Sequence, residues 1–467
     1  MLEDFIIGHI RSQLPFEPNQ EKEALFKVLG RYLVDYDPVK AFVLRGYAGT
    51  GKTSVVSAMV RALEQLHQPF VLLAPTGRAA KVLSRYSGYS AYTIHKYIYR
   101  QNQLGVEAFS LADNKHKQTM FIVDEASMIS ASRDNSTFGS GNLLDDLIRY
   151  VYQGEGCHML LLGDTAQLPP VGSDLSPALD SDYIAGFGLK VSDFTLTEVA
   201  RQALDSGILS EATRIREEIG DLRLEIGDCT IQANGKDIVK LSGAEVVEQL
   251  ERSYDEVGAE ETLIITRSNK ATNLYNQGVR ARILWKEDEL SSGDRLMVSK
   301  NNYYWTREYE QLDFLANGDS LEVVRLSNEH EMYGFRFVEA SLRLVDYDWE
   351  IDALVWMDTL TTDSPEQNYE MQKQLFERIA EDYPEVKNKK ERTKLIFESP
   401  YYNALQVRFA YAVTCHKAQG GQWKHVYVDS GMASEWLNEL SETERLEYLR
   451  WLYTAVTRAT EKIYLLR

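Results

Sequence analysis

Cysteine is scarce in this sequence: Cys157, Cys229 and Cys415 are the only three in 467 residues, widely separated and without the paired spacing of metal ligands. That scarcity excludes a disulfide framework and a zinc site as organising principles, and a reducing, cytoplasmic location is expected. No apolar stretch approaches membrane-spanning length, so no membrane partner is expected. The opening residues, Met1-Leu-Glu-Asp-Phe-Ile-Ile-Gly-His9, lack a cationic start followed by an apolar run, and no signal peptide is expected. Positive charge is also short, with a net charge of −19. Phosphate contacts need Lys and Arg, so this balance argues at first against a nucleic-acid partner. The distribution reverses the inference. Residues 41–100 carry eight basic side chains (Arg45, Lys52, Arg61, Arg78, Lys81, Arg85, Lys96 and Arg100) against one acid, Glu64. An acidic chain can still present one basic channel.

What is present reads as several α/β domains, since a single core stops growing well below this length. Ala41–Leu44, Phe70–Leu73, Phe121–Val123 and Met159–Leu162 are short apolar runs rich in strand formers, with helical patterns such as Thr53–Leu66 between them. That alternation predicts a parallel sheet covered on both faces. Thr262–Thr266 begins a second such pattern, which resumes at Val426–Val428 and ends with Lys462–Leu466. Between them, Leu296–Val298, Ser320–Val324, Phe335–Val338 and Leu342–Val345 read as short alternating strands, which predicts a small β-barrel. Residues 365–395 are charged and helical, with Pro384 as the break between two helices.

The chemistry begins at Gly46-Tyr-Ala48-Gly49-Thr50-Gly51-Lys52-Thr53, after the first strand and opening a helix. Glycines let backbone N–H groups turn inward around phosphate oxygens, and the positive end of the helix adds to the attraction. Lys52 supplies a point charge for the β- and γ-phosphates of ATP, and the Thr53 hydroxyl is a ligand for Mg²⁺. Phe121-Ile-Val-Asp124-Glu125 is an apolar strand ending in two carboxylates. Asp124 is placed to hold Mg²⁺ and Glu125 to polarise the attacking water. Read alone, the acidic pair is equally well a helix N-terminus with acids favourable to its dipole. Leu160-Leu-Leu-Gly163-Asp164 leads to Gln167, a side chain suited to sensing the γ-phosphate. Many functions share a phosphate loop, so the remaining residues must decide.

Val123-Asp-Glu-Ala-Ser-Met128 and Gly163-Asp-Thr-Ala-Gln-Leu-Pro-Pro-Val171 resemble superfamily 1 helicases of the RecD and Dda branch. Further segments match in the family's order. Asn19-Gln20 resembles the adenine-contacting glutamine motif. Ala74-Pro-Thr76-Gly77-Arg78-Ala-Ala-Lys81 and Thr93-Ile-His95 resemble the strand-contacting motifs of the first core. Leu196-Thr-Glu-Val-Ala-Arg201-Gln202 is similar to the motif that brings an arginine to the nucleotide. Thr414-Cys-His416-Lys417-Ala-Gln419-Gly420 and Tyr453-Thr-Ala-Val-Thr457-Arg458-Ala resemble the last two motifs.

The resemblance implies an α/β fold of two tandem RecA-like parallel-sheet cores. A small hairpin is inserted in the first, and an SH3-like β-barrel with a helical elaboration in the second. It divides the chain into 1–200, 201–285 with 405–467, and the insertion 286–404. It implies ATP and Mg²⁺ as cofactors, Gln20 and Gly420 at the nucleotide, and Arg201 and Arg458 as cations against the γ-phosphate. Thr76, Gly77, Arg78, His95, Asn269, Thr414, His416 and Lys417 fall to the nucleic acid. The activity implied is an ATP-dependent helicase moving 5′ to 3′ on single-stranded DNA, with duplex–single-strand junctions and single-strand-binding, replication or recombination proteins as partners. A translocase that remodels protein or RNA, and a nucleotide-gated subunit of a larger complex, stay open as alternatives. Lys96–Thr119 is too long for an ordinary connection in a parallel sheet. With Tyr97, Tyr99, Phe109, Gly105 and a basic return at Lys115-His-Lys117, it predicts a small projecting hairpin, and the resemblance implies a strand-separating pin at this position. The polar segment 129–142 matches no role.

Overall fold

The computed structural model describes residues 2–101, 109–132, 139–199, 206–220, 230–309, 314–345, 349–362, 364–431 and 439–466. Arg201, the tip of the Lys96–Thr119 insertion and the third cysteine, Cys229, lie outside them. Cys157 and Cys415 are buried and free.

The first sheet contains β1 (Lys40–Gly46), β2 (Phe70–Ala74), β3 (Ala91–Thr93), β6 (Met120–Val123), β7 (His158–Gly163) and β8 (Lys190–Leu196). All pairs are parallel, in the order β3-β2-β6-β7-β1-β8. Its strands are continuous apolar runs because both faces are covered, and alternate residues feed different cores. Val43, Leu73, Phe121, Val123 and Leu161 enter one hydrophobic cluster. Phe42, Leu44, Leu72, Ile122 and Leu160 enter another on the opposite face. Each side chain so buried contributes roughly 1.5–3 kcal/mol.

The second sheet, also parallel, is built from β9 (Ile238–Leu241), β10 (Thr262–Thr266), β16 (Ala412–Thr414), β17 (Trp423–Asp429) and β18 (Ala459–Leu466), in the order β16-β10-β17-β18-β9. Between β10 and β16 the chain makes a third, antiparallel sheet from β11 (Arg295–Val298), β12 (Ser320–Met332), β13 (Phe335–Leu344), β14 (Trp349–Trp356) and β15 (Val407–Phe409). Its far edge turns back on the near one: Trp356 N donates to Leu405 O (3.0 Å) and Leu405 N to Leu354 O (2.7 Å).

Three sequence expectations are revised here. Phe335–Val338 and Leu342–Leu344 belong to one strand, because Glu339-Ala340-Ser341 holds no Gly, Pro, Asn or Asp and pairs on both sides. β14 follows them directly and went unread behind the acidic run at its start. β15 pairs with β11, so the chain returns to the second parallel sheet after Phe409 and not at 405. The charged segment forms helices Pro365–Ala380 and Lys389–Phe397, with Pro384 in their connection. Leu375, Ile379 and Ile396 bury against Phe335, Phe337 and Trp356.

Within the Lys96–Thr119 insertion, β4 (Tyr99–Gln101) and β5 (Phe109–Leu111) pair antiparallel as the base of a hairpin. The Phe109 ring lies 4.4 Å from that of Tyr303, which lies 5.2 Å from that of Phe314. The first parallel unit is thereby docked on the connection between β11 and β12 of the third sheet. The described ends of the 129–142 segment find a place here too: Gly139 N donates to Phe109 O (2.8 Å), and Asn142 caps helix Leu143–Gln153.

Candidate nucleotide cleft and strand groove

In open parallel α/β sheets, ligands sit outside the carboxyl ends of the strands. Strands β6, β7 and β1 are neighbours in the first sheet, so Asp124-Glu125, Gly163-Asp164 and the glycine loop emerge side by side. The loop needs its glycines. Gly49 and Gly51 have φ of +74° and +86°, and a Cβ on Gly46 would lie 2.9 Å from Lys52 Cγ. Lys52 Nζ donates to the carbonyls of Gly46 and Tyr47 and lies 4.0 Å from Asp164 Oδ2. Thr50 Oγ1 donates to Tyr47 O (2.8 Å), closing the loop on itself.

Glu125 adopts φ +52° without being glycine. Such a conformation costs of order 1–3 kcal/mol and persists only where its surroundings impose it. Its N–H donates to Asp124 Oδ1 (2.8 Å), and the Tyr86 hydroxyl donates to Asp124 Oδ2. Burial pushes the Glu125 carboxyl above the ordinary carboxylate range; Arg458 opposes that shift and Asp124 adds to it. Arg458 belongs to the second unit, so a charge from across the molecule acts on a side chain of the first.

The helix Glu442–Val456 of the second unit supplies the other wall. Tyr453, 1% exposed, accepts from Ala48 N–H (2.8 Å) and donates to Asp164 Oδ2 (2.7 Å). Leu168 is held at both backbone groups: its N–H donates to Thr454 Oγ1 (2.9 Å) and its carbonyl accepts from Gln419 Nε2 (2.8 Å). Arg458 donates to the carbonyls of Thr454 and Gly421 and to Thr457 Oγ1. Together these elements enclose a cleft of about 430 Å³, lined by Lys52, Glu125 and Gln167 from one side and Gly420 and Arg458 from the other. Gln167 is 6% exposed and its Oε1 has no hydrogen-bond partner. A buried amide oxygen without a partner, beside a glycine cradle, fits a polar ligand in the cleft.

The same test applies to a metal. No group of three His, Cys, Asp or Glu among the described residues could hold one. A hard cation that keeps several waters and takes phosphate oxygens needs only one or two protein oxygens. Thr53 and Asp124, both lining the cleft, fit that sparse donor set.

Gln20 is the exposed first residue of helix Gln20–Val34, capped by Asn19, and does not line the cleft. Its neighbour Lys22 does approach the loop. Lys22 is 2% exposed, and a Cβ on Gly51 would lie 3.2 Å from its Cε.

A second, larger groove of about 1,180 Å³ runs between both parallel units and the third sheet. Thr76, Arg78 and Lys81 line one side, His416 and Lys417 another, and Asn317 the third. Thr76 caps helix Gly77–Ser87, so Gly77 and Arg78 open that helix. The Arg78 guanidinium stacks 3.8 Å over Trp423 and donates to Gln422 O (3.2 Å), joining the two units. Lys81 Nζ donates to Val345 O (2.7 Å), and Lys417 Nζ to Asn317 Oδ1. Burial, with Arg408 nearby, lowers the Lys417 ammonium to about 8. Gly420, at φ +73°, lets the units approach: a Cβ there would meet Ala79 Cβ at 2.9 Å. His95 (its ring 5.8 Å from Tyr99), Asn269 at the start of helix Asn269–Arg282, and Thr414, the N-cap of helix Cys415–Ala418, do not line this groove.

Tyr453, Tyr86 and Lys22 went unassigned in the sequence reading. Tyr453 had a signal, as the first residue of the last motif; the other two had none.

Residues 37–226 match the family model described as an AAA domain, and residues 409–466 that of the UvrD-like helicase C-terminal domain. The RecD2 DNA helicase of Deinococcus radiodurans is 28% identical over 56% of this chain and 34% of its own length. The Dda helicase of phage T4 is 32% identical over 37% of each chain. The chain therefore spans about a third of the length of these helicases. An uncharacterised mimivirus protein, R530, is 22% identical over 91% of this chain and 94% of its own. The solved Pif1 helicase from Bacteroides is a distant likeness, with 14% identity and a TM-score of 0.48 over 96% of this chain and 92% of that one. The two domain matches fall on the two parallel sheets, on either side of the antiparallel one, and with the RecD2 and Dda relatives they make this chain similar to the superfamily 1 helicases of the RecD and Dda type.

Proposed function

We propose that this protein is a cytoplasmic, ATP-driven DNA helicase that moves 5′ to 3′ along single-stranded DNA and unwinds duplex. The observation that carries the reading is that one cleft is lined by Lys52 and Glu125 from the first parallel unit and by Arg458 from the second. A phosphoryl-transfer transition state spreads negative charge over the γ-phosphate, so cations aimed at it lower the barrier. Lys52 and Arg458 would supply that charge from opposite walls, with Arg201 as a further cation. Glu125, raised by burial, would orient and deprotonate the attacking water, and Gln167 would sense the γ-phosphate. Thr53 and Asp124 would hold Mg²⁺, which when bound neutralises phosphate oxygens. Gln20 would contact the adenine.

Because the walls belong to different units, turnover alternately favours their approach and separation. Thr76, Gly77, Arg78 and His95 ride on one unit and Asn269, Thr414, His416 and Lys417 on the other, so each cycle would step them along a strand. In this reading the parallel units are RecA-like cores, the third sheet with its helices is an SH3-like insertion, and the β4–β5 hairpin is the pin that parts the duplex. The substrate is a duplex–single-strand junction. Among the described residues no helix is long and apolar enough to cross a membrane.

The test is the ATPase rate with and without single-stranded DNA, followed by unwinding of duplexes with 5′ or 3′ tails. Strong stimulation and preferential opening from 5′ tails are expected. Efficient unwinding from 3′ tails only would reverse the polarity, and no stimulation at all would sink the motor.

A further inference from the structure

The β4–β5 hairpin has two faces, set by strand alternation. Tyr99 and Phe109 point inward and are 3% and 5% exposed. Arg100 and Ser110, directly opposite one another in the ladder, occupy the other face. There they border a concavity of about 690 Å³ with Tyr97, Lys115, His116 and Tyr150. It shares no lining residue with the nucleotide cleft or the strand groove.

Its charge is unusual for so acidic a protein. Arg100 Nη1 donates to the carbonyls of Lys96, Tyr97 and Tyr99 (3.0, 3.4 and 2.7 Å), which holds the guanidinium in place without neutralising it. Among the described residues neither Arg100 nor Lys115 has a carboxylate within ion-pair distance, whereas nearby Lys117 is paired with Glu155 at 2.9 Å. Asp113 is the one acid among the lining residues. The floor is aromatic: Tyr97 stacks on His116, its hydroxyl 2.8 Å from His116 Nε2, and the 41%-exposed Tyr92 continues the edge 5.4 Å away. Unneutralised cations over an aromatic floor suit a single strand, whose phosphates take the charge and whose bases have π-faces to stack.

We propose that this shelf on the outer face of the hairpin binds the displaced strand, the one that does not enter the groove between the two parallel units. The inference rests on the helicase reading above. With the tracked strand in that groove, the other strand of a duplex parted at the hairpin must leave outside it, past whichever hairpin face is open. The inner face is sealed, Phe109 against Tyr303 and Phe314 of the β11–β12 connection and Tyr99 by its hydrogen bond to Asp146, and the outer one is open, basic and concave.

The experiment measures equilibrium binding of the full chain to three labelled DNAs: a short single strand, a duplex with a 5′ tail only, and the same duplex with an added 3′ tail. The fork with both tails should bind at least about threefold more tightly than the duplex with one. Arg100→Glu/Lys115→Glu should erase that gain while still binding the single strand. Arg100→Gln/Lys115→Gln should reduce it and guards against a fault of charge reversal; thermal melting checks that both variants fold. Losing two phosphate contacts should lower the salt slope for the fork by about 1.4, at roughly 0.7 per single-strand contact. A fork preference that survives both variants overturns the shelf, and so does its absence from a wild-type protein that binds single strands and hydrolyses ATP on them. A wild-type protein that does neither overturns the helicase reading, and the shelf with it. Unchanged binding of all three DNAs by both variants would leave the surface to a protein partner and reject the proposal.

Discussion

The nucleotide cleft and the base of the β4–β5 hairpin are both places where distant parts of the chain meet, and they are held in opposite ways. In the cleft the joints are polar and directional: Tyr453 spans Ala48 and Asp164, and Leu168 is gripped through both backbone groups. At the hairpin the joint is a cluster of rings, Phe109 on Tyr303 and Tyr303 on Phe314. Buried hydrogen bonds locate individual atoms, and removing one partner leaves the other unsatisfied. Apolar packing locates a whole body and tolerates small shifts. One region fixes individual atoms, and the other seats a whole hairpin.

Substitutions can break this comparison. The largest effects belong to the cleft. Lys52→Ala should lower ATP turnover by at least about 100-fold, the scale for removing one transition-state charge partner. The loop glycines shape the backbone there, so melting should stay within a few degrees. Glu125→Gln should reduce hydrolysis as severely while nucleotide binding survives. Turnover near normal in either folded variant would remove that residue from the mechanism, and joint loss of binding and turnover in Glu125→Gln would make Glu125 structural.

Tyr453→Phe sharpens the contrast by deleting one oxygen. Asp164 and the Ala48 N–H then lose a buried partner, a cost of about 1–3 kcal/mol. If the bridge positions the loop, the loss should appear in kcat, by roughly tenfold, with little change in KM. A variant that melts earlier but turns over normally would show a bridge that serves stability alone.

Phe109→Ala tests the other region. Single-strand-stimulated ATPase should stay within a few-fold of wild type while unwinding falls by more, because the hairpin loses its seat on Tyr303 and Phe314. Parallel loss of both activities would show that the hairpin base belongs to the motor's core.

The smallest expected effect lies outside both regions. His158 opens β7 with Nε2 unsatisfied; burial, then the charge of Lys40, lowers it to about 4. Between the ordinary value near 6.5 and that value, the unfolded chain binds the proton more tightly, so acidification should cost stability across that window. His158 lies edge-on to Tyr32, and His158→Phe, which removes the titrating group, should flatten the slope. An unchanged pH–stability profile would show that His158 does not titrate as placed.

Much of this molecule was readable because local rules were sufficient. The first parallel sheet declares itself as apolar runs, since a strand covered on both faces has no polar side to show. A loop at a strand end can turn backbone N–H groups toward a ligand, so spacing alone singled out Lys52, Asp124, Glu125 and Gln167, which the structure brings to one cleft. The antiparallel sheet was less so. β13 was divided in two because Glu339 and Ser341 interrupt its apolar positions, and β14 was hidden by an acidic start.

The sequence by itself determined which residues could perform the chemistry and the order of the elements that carry them. Only the tertiary structure decided which of them share a wall. Tyr453 lies 405 positions from Ala48, Arg78 stacks on Trp423, and Phe109 seats on Tyr303. None of these pairings leaves a local trace, since a hydrogen bond or ring contact between distant residues depends on how whole sheets pack and not on neighbours in the chain. The two faces of the hairpin are of the same kind. The alternation of Arg100 and Ser110 with Tyr99 and Phe109 is written in the sequence, but which face is buried depends on the first unit's core and on Tyr303 and Phe314 arriving to cover it.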